Sequence, residues 1–119
     1  LNTVQKVLSP HELKEYRNII QSVIVEPKLI EFIAKIVIET RNNPALYLGA
    51  SPRASLAILR ASKANAAIKG RDFVTPEDIK EMAMPVLRHR IILTPEKEME
   101  GITPDELIEN ILKAIEVPR

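Results

Sequence analysis

At several points, among them Ser9-Pro10, Ser51-Pro52, Thr75-Pro76 and Thr103-Pro104, this sequence sets a serine or threonine directly before a proline. Each pair reads as a helix start. The hydroxyl can accept a hydrogen bond from an orphan amide, and proline suits the first helical position, where its missing N–H costs nothing. Three of the starts carry an acid three residues after the cap, Glu12, Asp78 and Glu106, as in a capping box. The same three place apolar residues on either side of the cap as candidate hydrophobic staples: Leu8 with Leu13, Val74 with Ile79, and Ile102 with Leu107. Punctuation of this kind cuts the chain into helices with short connections.

The start at Ser51 breaks the pattern. Its first turn offers Arg53 and no acid, and Ser55 stands where the staple is expected. A cation in the first turn is misplaced, because a helix N-terminus already carries partial positive charge. With free N–H groups, an arginine and no acid, this start suits an anion supplied by a ligand. Equally, Arg53 can pair with a carboxylate elsewhere or face water, as most surface charges do. The residues alone leave both readings open.

Hydrophobic spacing fills in the rest. A first helix is predicted over residues 9–21, with Leu13, Tyr16, Ile20 and Val23 as its stripe and Ile19 widening it. Residues 22–25 read as a short extended piece. A second helix runs from Pro27 or Lys28 to Arg41, with burial expected on two sides because Ile30 and Ile38 add a second apolar edge. Residues 45–50 form a loop whose Leu46, Tyr47 and Leu48 should tuck against the core. The third helix spans residues 51–69, capped by Gly70. Its many alanines mark it as the central, most buried helix. A fourth starts at Thr75 and should stop near Met84 because of Pro85, with another turn over residues 86–89. Residues 90–93 form a second extended piece, expected to pair with residues 23–25. Residues 94–102 read as a polar loop, and a fifth helix covers residues 103–115. Only two Phe, two Tyr and no Trp are present, so the core is built from Ile, Leu, Val and Ala. The expected fold is all-α: one domain over residues 1–119, a compact bundle of about five helices with room for one very short β pairing.

Several function classes are disfavoured. Net charge is +1, so no bulk attraction to nucleic acid or membrane is implied. No apolar run approaches transmembrane length. With no cysteine there is neither a disulfide framework nor a thiolate zinc site, which fits a reducing cytoplasm. His11 and His89 show no metal-ligand spacing, and Ser51 and Ser55 lack a paired histidine for nucleophilic catalysis. Glycine occurs only at 49, 70 and 101, so no phosphate-binding P-loop can be assembled. Positive charge is nonetheless clustered. No acid lies between Glu39 and Asp72, a window holding Arg41, Arg53, Arg60, Lys63, Lys69 and Arg71. A second acid-free window holds Arg88, His89 and Arg90.

Three motifs in order name a family. Gly49-Ala50-Ser51-Pro52-Arg53-Ala54, then Gly70-Arg71-Asp72-Phe73-Val74-Thr75-Pro76-Glu77-Asp78-Ile79, then Val86-Leu87-Arg88-His89-Arg90-Ile91, resemble the C-terminal part of MoxR-type AAA+ ATPases. Thr40-Arg41 also fits. The resemblance covers essentially the whole chain. It implies a helical lid that packs over ATP held, with Mg2+, by a preceding α/β subdomain. Leu1-Asn2-Thr3-Val4 reads accordingly as the inside of a longer protein. By the resemblance Arg53 is the sensor-2 arginine directed at the ATP phosphates, with Ser51 and Pro52 beside it at the cofactor. Arg88 and Arg90 are weaker candidates for contact with phosphate or a neighbouring subunit, against ion pairs with Glu77, Asp78 or the C-terminal acids. The family acts in ring oligomers, usually hexamers, in chaperone-like assembly and in insertion of metal cofactors into partner proteins. The segment alone is expected neither to catalyse nor to bind ATP measurably. Two rival readings are a helical nucleic-acid-binding module and an assembly domain similar to histone-fold helices. The first lacks a strong overall positive charge and stacking aromatics.

Overall fold

The computed structural model describes residues 4–118. Leu1, Asn2 and Thr3, which open the lead-in, lie outside the described residues. Six helices and two short strands follow in the order α1 (Pro10–Gln21), α2 (Pro27–Asn42), β1 (Leu46–Leu48), α3 (Arg53–Ile68), α4 (Pro76–Leu87), β2 (Ile92–Leu93), α5 (Pro95–Met99) and α6 (Pro104–Ala114). The fold is all-α with one two-stranded antiparallel ribbon.

The Ser/Thr-Pro starts act as the sequence predicts at three places. Ser9 accepts from the amide of Glu12 at 3.1 Å, and Thr103 accepts from the amide of Glu106 at 3.2 Å. At Thr75 the full capping box forms, with the Asp78 carboxylate accepting from the Thr75 amide at 2.8 Å. A further start of this kind lies in the stretch read as a polar loop. Thr94 caps α5, accepting from the amide of Lys97 at 3.4 Å. Its third position is a lysine rather than an acid, and its Met99 is 89% exposed, so neither a capping box nor an apolar stripe announced it.

α3 is the hub and packs against α1, α2 and α4. Its buried residues Ala54, Ile58, Ser62 and Ala66 repeat every four positions, one straight stripe along the helix. They share one core with Phe32, Ile33, Ile36 and Val37 of α2 and with Ile79, Ala83 and Leu87 of α4. The most buried helix is α2, with six buried residues against four on α3. The alanines admit close neighbours, and α3 is half-buried along most of its length, with only Arg53, Leu56, Arg60 and Ile68 exposed. Ile108 and Leu112 of α6 join this core, while Leu107 and Ile111 pack with Leu93 in a smaller cluster beneath the ribbon.

Pro85 does not stop α4, which continues to Leu87. Proline removes one backbone bond and crowds the preceding turn. Here the loss falls near the helix end, and buried Ala83 and Leu87 anchor the chain on both sides of it. The amide of Arg88 still reaches the Met84 carbonyl at 3.0 Å. Pro85 is exposed. Pro85→Ala is therefore expected to stabilise the domain by about 1–3 kcal/mol, read as a raised denaturant midpoint. An unchanged or lowered midpoint would show that proline rigidity in the unfolded chain outweighs the missing bond.

The expected pairing of residues 90–93 with residues 23–25 does not form. β2 pairs with β1 instead, Leu46 opposite Leu93 and Leu48 opposite Ile92, with an irregularity at Tyr47. Ile24 makes a parallel bridge with Phe73. Several stripes read as core are exposed. α1 contains no buried residue. Leu8 and Leu13 stay open, and so do Ile30 and Ile38 on α2. Of residues 46–48 only Leu46 packs inward; Tyr47 and Leu48 face out.

Candidate functional site

The candidate site is the start of α3, and the last turn of α2 positions it. Thr40 is fully buried there. Its hydroxyl donates to the Val37 carbonyl at 2.6 Å and accepts from the Ala50 amide at 3.0 Å. Gly49 lies flush against the same turn. A Cβ at this position would stand 2.5 Å from the Thr40 carbonyl oxygen and 2.6 Å from the Arg41 Cα. Only glycine permits that approach. Together Thr40, Gly49 and buried Ala50 fix the chain just before it turns into α3. Of these, sequence reading had noticed Thr40 and Gly49 only as parts of motifs.

The turn differs from expectation in one respect. Pro52 is already helical in conformation, α3 is formed from Arg53, and the Ser51 side chain makes no capping hydrogen bond. The amides of Ala54 and Ser55 close back on the carbonyls of Ser51 and Pro52 at 2.9 and 3.1 Å. Those amides are thus occupied, and anion attraction rests on the Arg53 guanidinium and the helix dipole. Ser51, Pro52 and Arg53 are all exposed. Among the described residues Arg53 has no hydrogen-bond or ion-pair partner, and the first turn holds no acid. α2 also opens on a cation, Lys28, but there Glu26 at the cap stands 3.3 Å from the ammonium.

The other basic residues are mostly engaged. Arg88 forms a two-pronged pair with Asp105 at 3.1 and 3.0 Å. Arg90 donates to the Val86 carbonyl at 2.7 Å. Both remain exposed, but each already has a partner within the chain, and no hydrogen bond or ion pair among the described residues brings either to the start of α3. Lys69 pairs with Glu81 at 2.8 Å, and with Asn65 it lowers the pKa of that carboxyl.

The second motif is a structural clamp. Asp78 is fully buried. Its carboxylate accepts from both terminal nitrogens of Arg71 at 2.6 and 2.7 Å, from Asn65 at 3.0 Å, and from the amide and hydroxyl of Thr75. Burial alone would raise its pKa; the hydrogen bonds from Arg71 and Thr75 outweigh that and hold it at about 2. Gly70, with φ of +78°, reverses the chain after α3 so that Arg71 can reach back to α4. The clamp ties the C-terminal end of α3 to the N-terminal end of α4, so that the helix bearing Arg53 is fixed at both ends.

Arg53 is thus the candidate for contact with an anion, while no group of three or more His, Cys, Asp or Glu able to hold a metal occurs among the described residues. No helix among them is long and apolar enough to cross a membrane.

Comparison with known proteins places the chain in a family. Residues 38–111 match the AAA lid domain family. The chain is 35% identical to the uncharacterized protein YeaC of Bacillus subtilis, over 99% of this chain and 37% of that protein. It is 32% identical to the chaperone MoxR1 of Mycobacterium tuberculosis, over 97% of this chain and 33% of that protein. It thus spans about a third of the length of each of these two relatives. A crystal structure from Cytophaga hutchinsonii, described as that of a candidate ATPase, superimposes with a TM-score of 0.90 and is 39% identical, covering 100% of this chain and 39% of that one. Matched along most of its length and folded alike, the chain belongs to the AAA lid domains, as the lid of a MoxR-type AAA+ ATPase.

Proposed function

We propose that this lid closes over ATP held by an α/β subdomain of the same protein and that Arg53 reads its phosphates. The carrying observation is the partnerless guanidinium at the start of a helix whose position is locked by Thr40, Gly49 and the Arg71–Asp78 clamp. Arginine suits the task, because its planar fork stays charged and forms paired bonds to phosphate oxygens. Ser51 and Pro52 flank it and border the same phosphates. Mg2+ accompanying the nucleotide would be held by groups outside residues 4–118. Bound ATP supplies the terminal phosphate whose presence or loss changes the charge that Arg53 faces. A gap of a few kcal/mol between lid positions is then enough to make nucleotide a switch.

In the whole protein this switch would serve a ring, usually a hexamer, that remodels partner proteins or inserts cofactors into them. The name of the mycobacterial relative, a chaperone, supports that reading. The cysteine-free sequence suits a cytoplasmic setting. Arg88 and Arg90 are left at most a secondary role toward a neighbouring subunit.

Arg53→Ala in the full-length protein is expected to slow ATP hydrolysis about 10²-fold, the scale for removing one preorganised donor from a phosphoryl or oxyanion site. The melting temperature should stay within a degree or so of wild type, because Arg53 is exposed and has no hydrogen-bond or ion-pair partner among the described residues. Hydrolysis at the wild-type rate would remove Arg53 from the mechanism.

A further inference from the structure

Between α1 and α3 lies a groove of about 300 Å³. Its floor is apolar, made by Ile20, Leu56 and Leu59, and its rim carries Arg17, Arg60 and Lys63. No acid lines it. The Lys63 ammonium reaches only the Gln21 carbonyl, at 3.5 Å, and no carboxylate pairs with any of the three cations among the described residues. An apolar trough with an uncompensated basic rim calls for an apolar side chain set among acids.

The same chain displays such an element. α5 projects Met99 at 89% exposure, the most exposed of the large apolar side chains. Exposed Glu96, Glu98 and Glu100 surround it in sequence. Glu100 pairs with Lys97 at 3.3 Å, whereas Glu96 and Glu98 have no partner among the described residues. Methionine, unbranched and polarisable, adapts to an irregular trough better than a branched side chain would.

We infer that the occupant of the α1–α3 groove is α5 of a second copy of this chain, Met99 entering between Leu56 and Leu59 and the glutamates meeting Arg17, Arg60 and Lys63. The two surfaces sit on different elements, so the contact is head-to-tail. A contact of that kind builds a closed ring or an open helix rather than a two-fold dimer. The rim charges steer and orient the approach, while the buried methionine supplies the apolar contact. The inference does not depend on whether Arg53 touches nucleotide, since neither surface includes it.

The chain has no cysteine of its own, so introduced thiols report the contact directly. Leu56→Cys and Met99→Cys are placed in separate full-length chains, with any cysteines elsewhere replaced, and mixed under mild oxidation while sedimentation reports assembly size. Both positions are exposed, so the core is undisturbed. A disulfide between chains is expected. Adding Arg60→Glu to the Leu56→Cys chain should lower its yield more than about tenfold, because like charges then face each other. Adding Glu98→Lys to the other chain should restore it. Assembly without the disulfide, a disulfide indifferent to charge reversal, or a monomer at every concentration tested would each overturn the inference. So would a disulfide formed within one chain carrying both thiols.

Discussion

Arg71→Met should lower stability by about 3–5 kcal/mol at neutral pH, the scale for stripping one partner from a buried ion pair. Methionine fills much the same volume, so the loss is that of charge and hydrogen bonds rather than of packing. Asp78 has no exposed surface through which to reach water. Asn65 and Thr75 still donate to it, which places the expected value toward the lower end. The pH dependence separates this account from a simple packing defect. In the wild type Asp78 titrates at about 2, below its ordinary value of 3.8. Its stabilising contribution is therefore complete above about pH 4 and is lost as pH falls toward 2. Without Arg71, desolvation dominates and the folded-state pKa rises. The variant is then penalised most where the carboxyl must ionise, and its deficit should shrink as pH falls toward 3. Urea melts of both proteins from pH 7 down to pH 3 decide the matter. A deficit independent of pH would mean that Arg71 acts through packing.

The second large effect is expected at Gly49. Gly49→Ala would place a methyl group 2.5 Å from a backbone oxygen, not from the end of a side chain that could swing away. Either the last turn of α2 or the approach to α3 must shift. Overpacking of this sort costs about 1–3 kcal/mol. Shifting the loop also breaks the bond from Ala50 to Thr40, and a buried amide left without a partner costs about 1–3 kcal/mol more. The melting temperature should fall by roughly 10 °C or more. ATP hydrolysis should fall with it, since Arg53 lies four residues downstream of the displaced glycine. The contrast with Arg53→Ala, which should slow hydrolysis about 10²-fold and leave the melt unchanged, distinguishes the residue that acts from the residues that place it. A Gly49→Ala protein that melts like wild type would show that the two turns separate without penalty.

Much of this was legible in the sequence because capping is local chemistry. Ser9, Thr75 and Thr103 needed only their next three residues to be read correctly. Where the deciding interaction is distant, local rules failed. Pro85 was given the power to end α4, but Ile79, Ala83 and Leu87 face one core on both sides of it. The partner of residues 92–93 was misassigned because strands of two or three residues carry no alternation to fix their pairing. Burial on α1 and on the Ile30–Ile38 edge of α2 was overread for another reason. An apolar stripe records that a face avoids water, not which surface covers it. The candidate site was visible as an anomaly, a first turn with an arginine and no acid where the other Ser/Thr-Pro starts each carry an acid in theirs. Its support was not, since Thr40 and Gly49 become a clamp only when ten residues of chain fold back on themselves.

The lack of any buried residue on α1 divides the domain into two tiers of stability. α2, α3, α4 and α6 share interlocked side chains and must open together. α1 packs mainly on α3 and is expected to detach while the rest stays folded. Amide protons of α1 will thus exchange with solvent long before those of Ile58 or Ile79. Ile20 contributes to the floor of the α1–α3 groove, so any partner seated there stitches the loose helix down. Occupation of that groove would be recorded as slowed exchange along α1, a signal carried by the least anchored segment of the molecule.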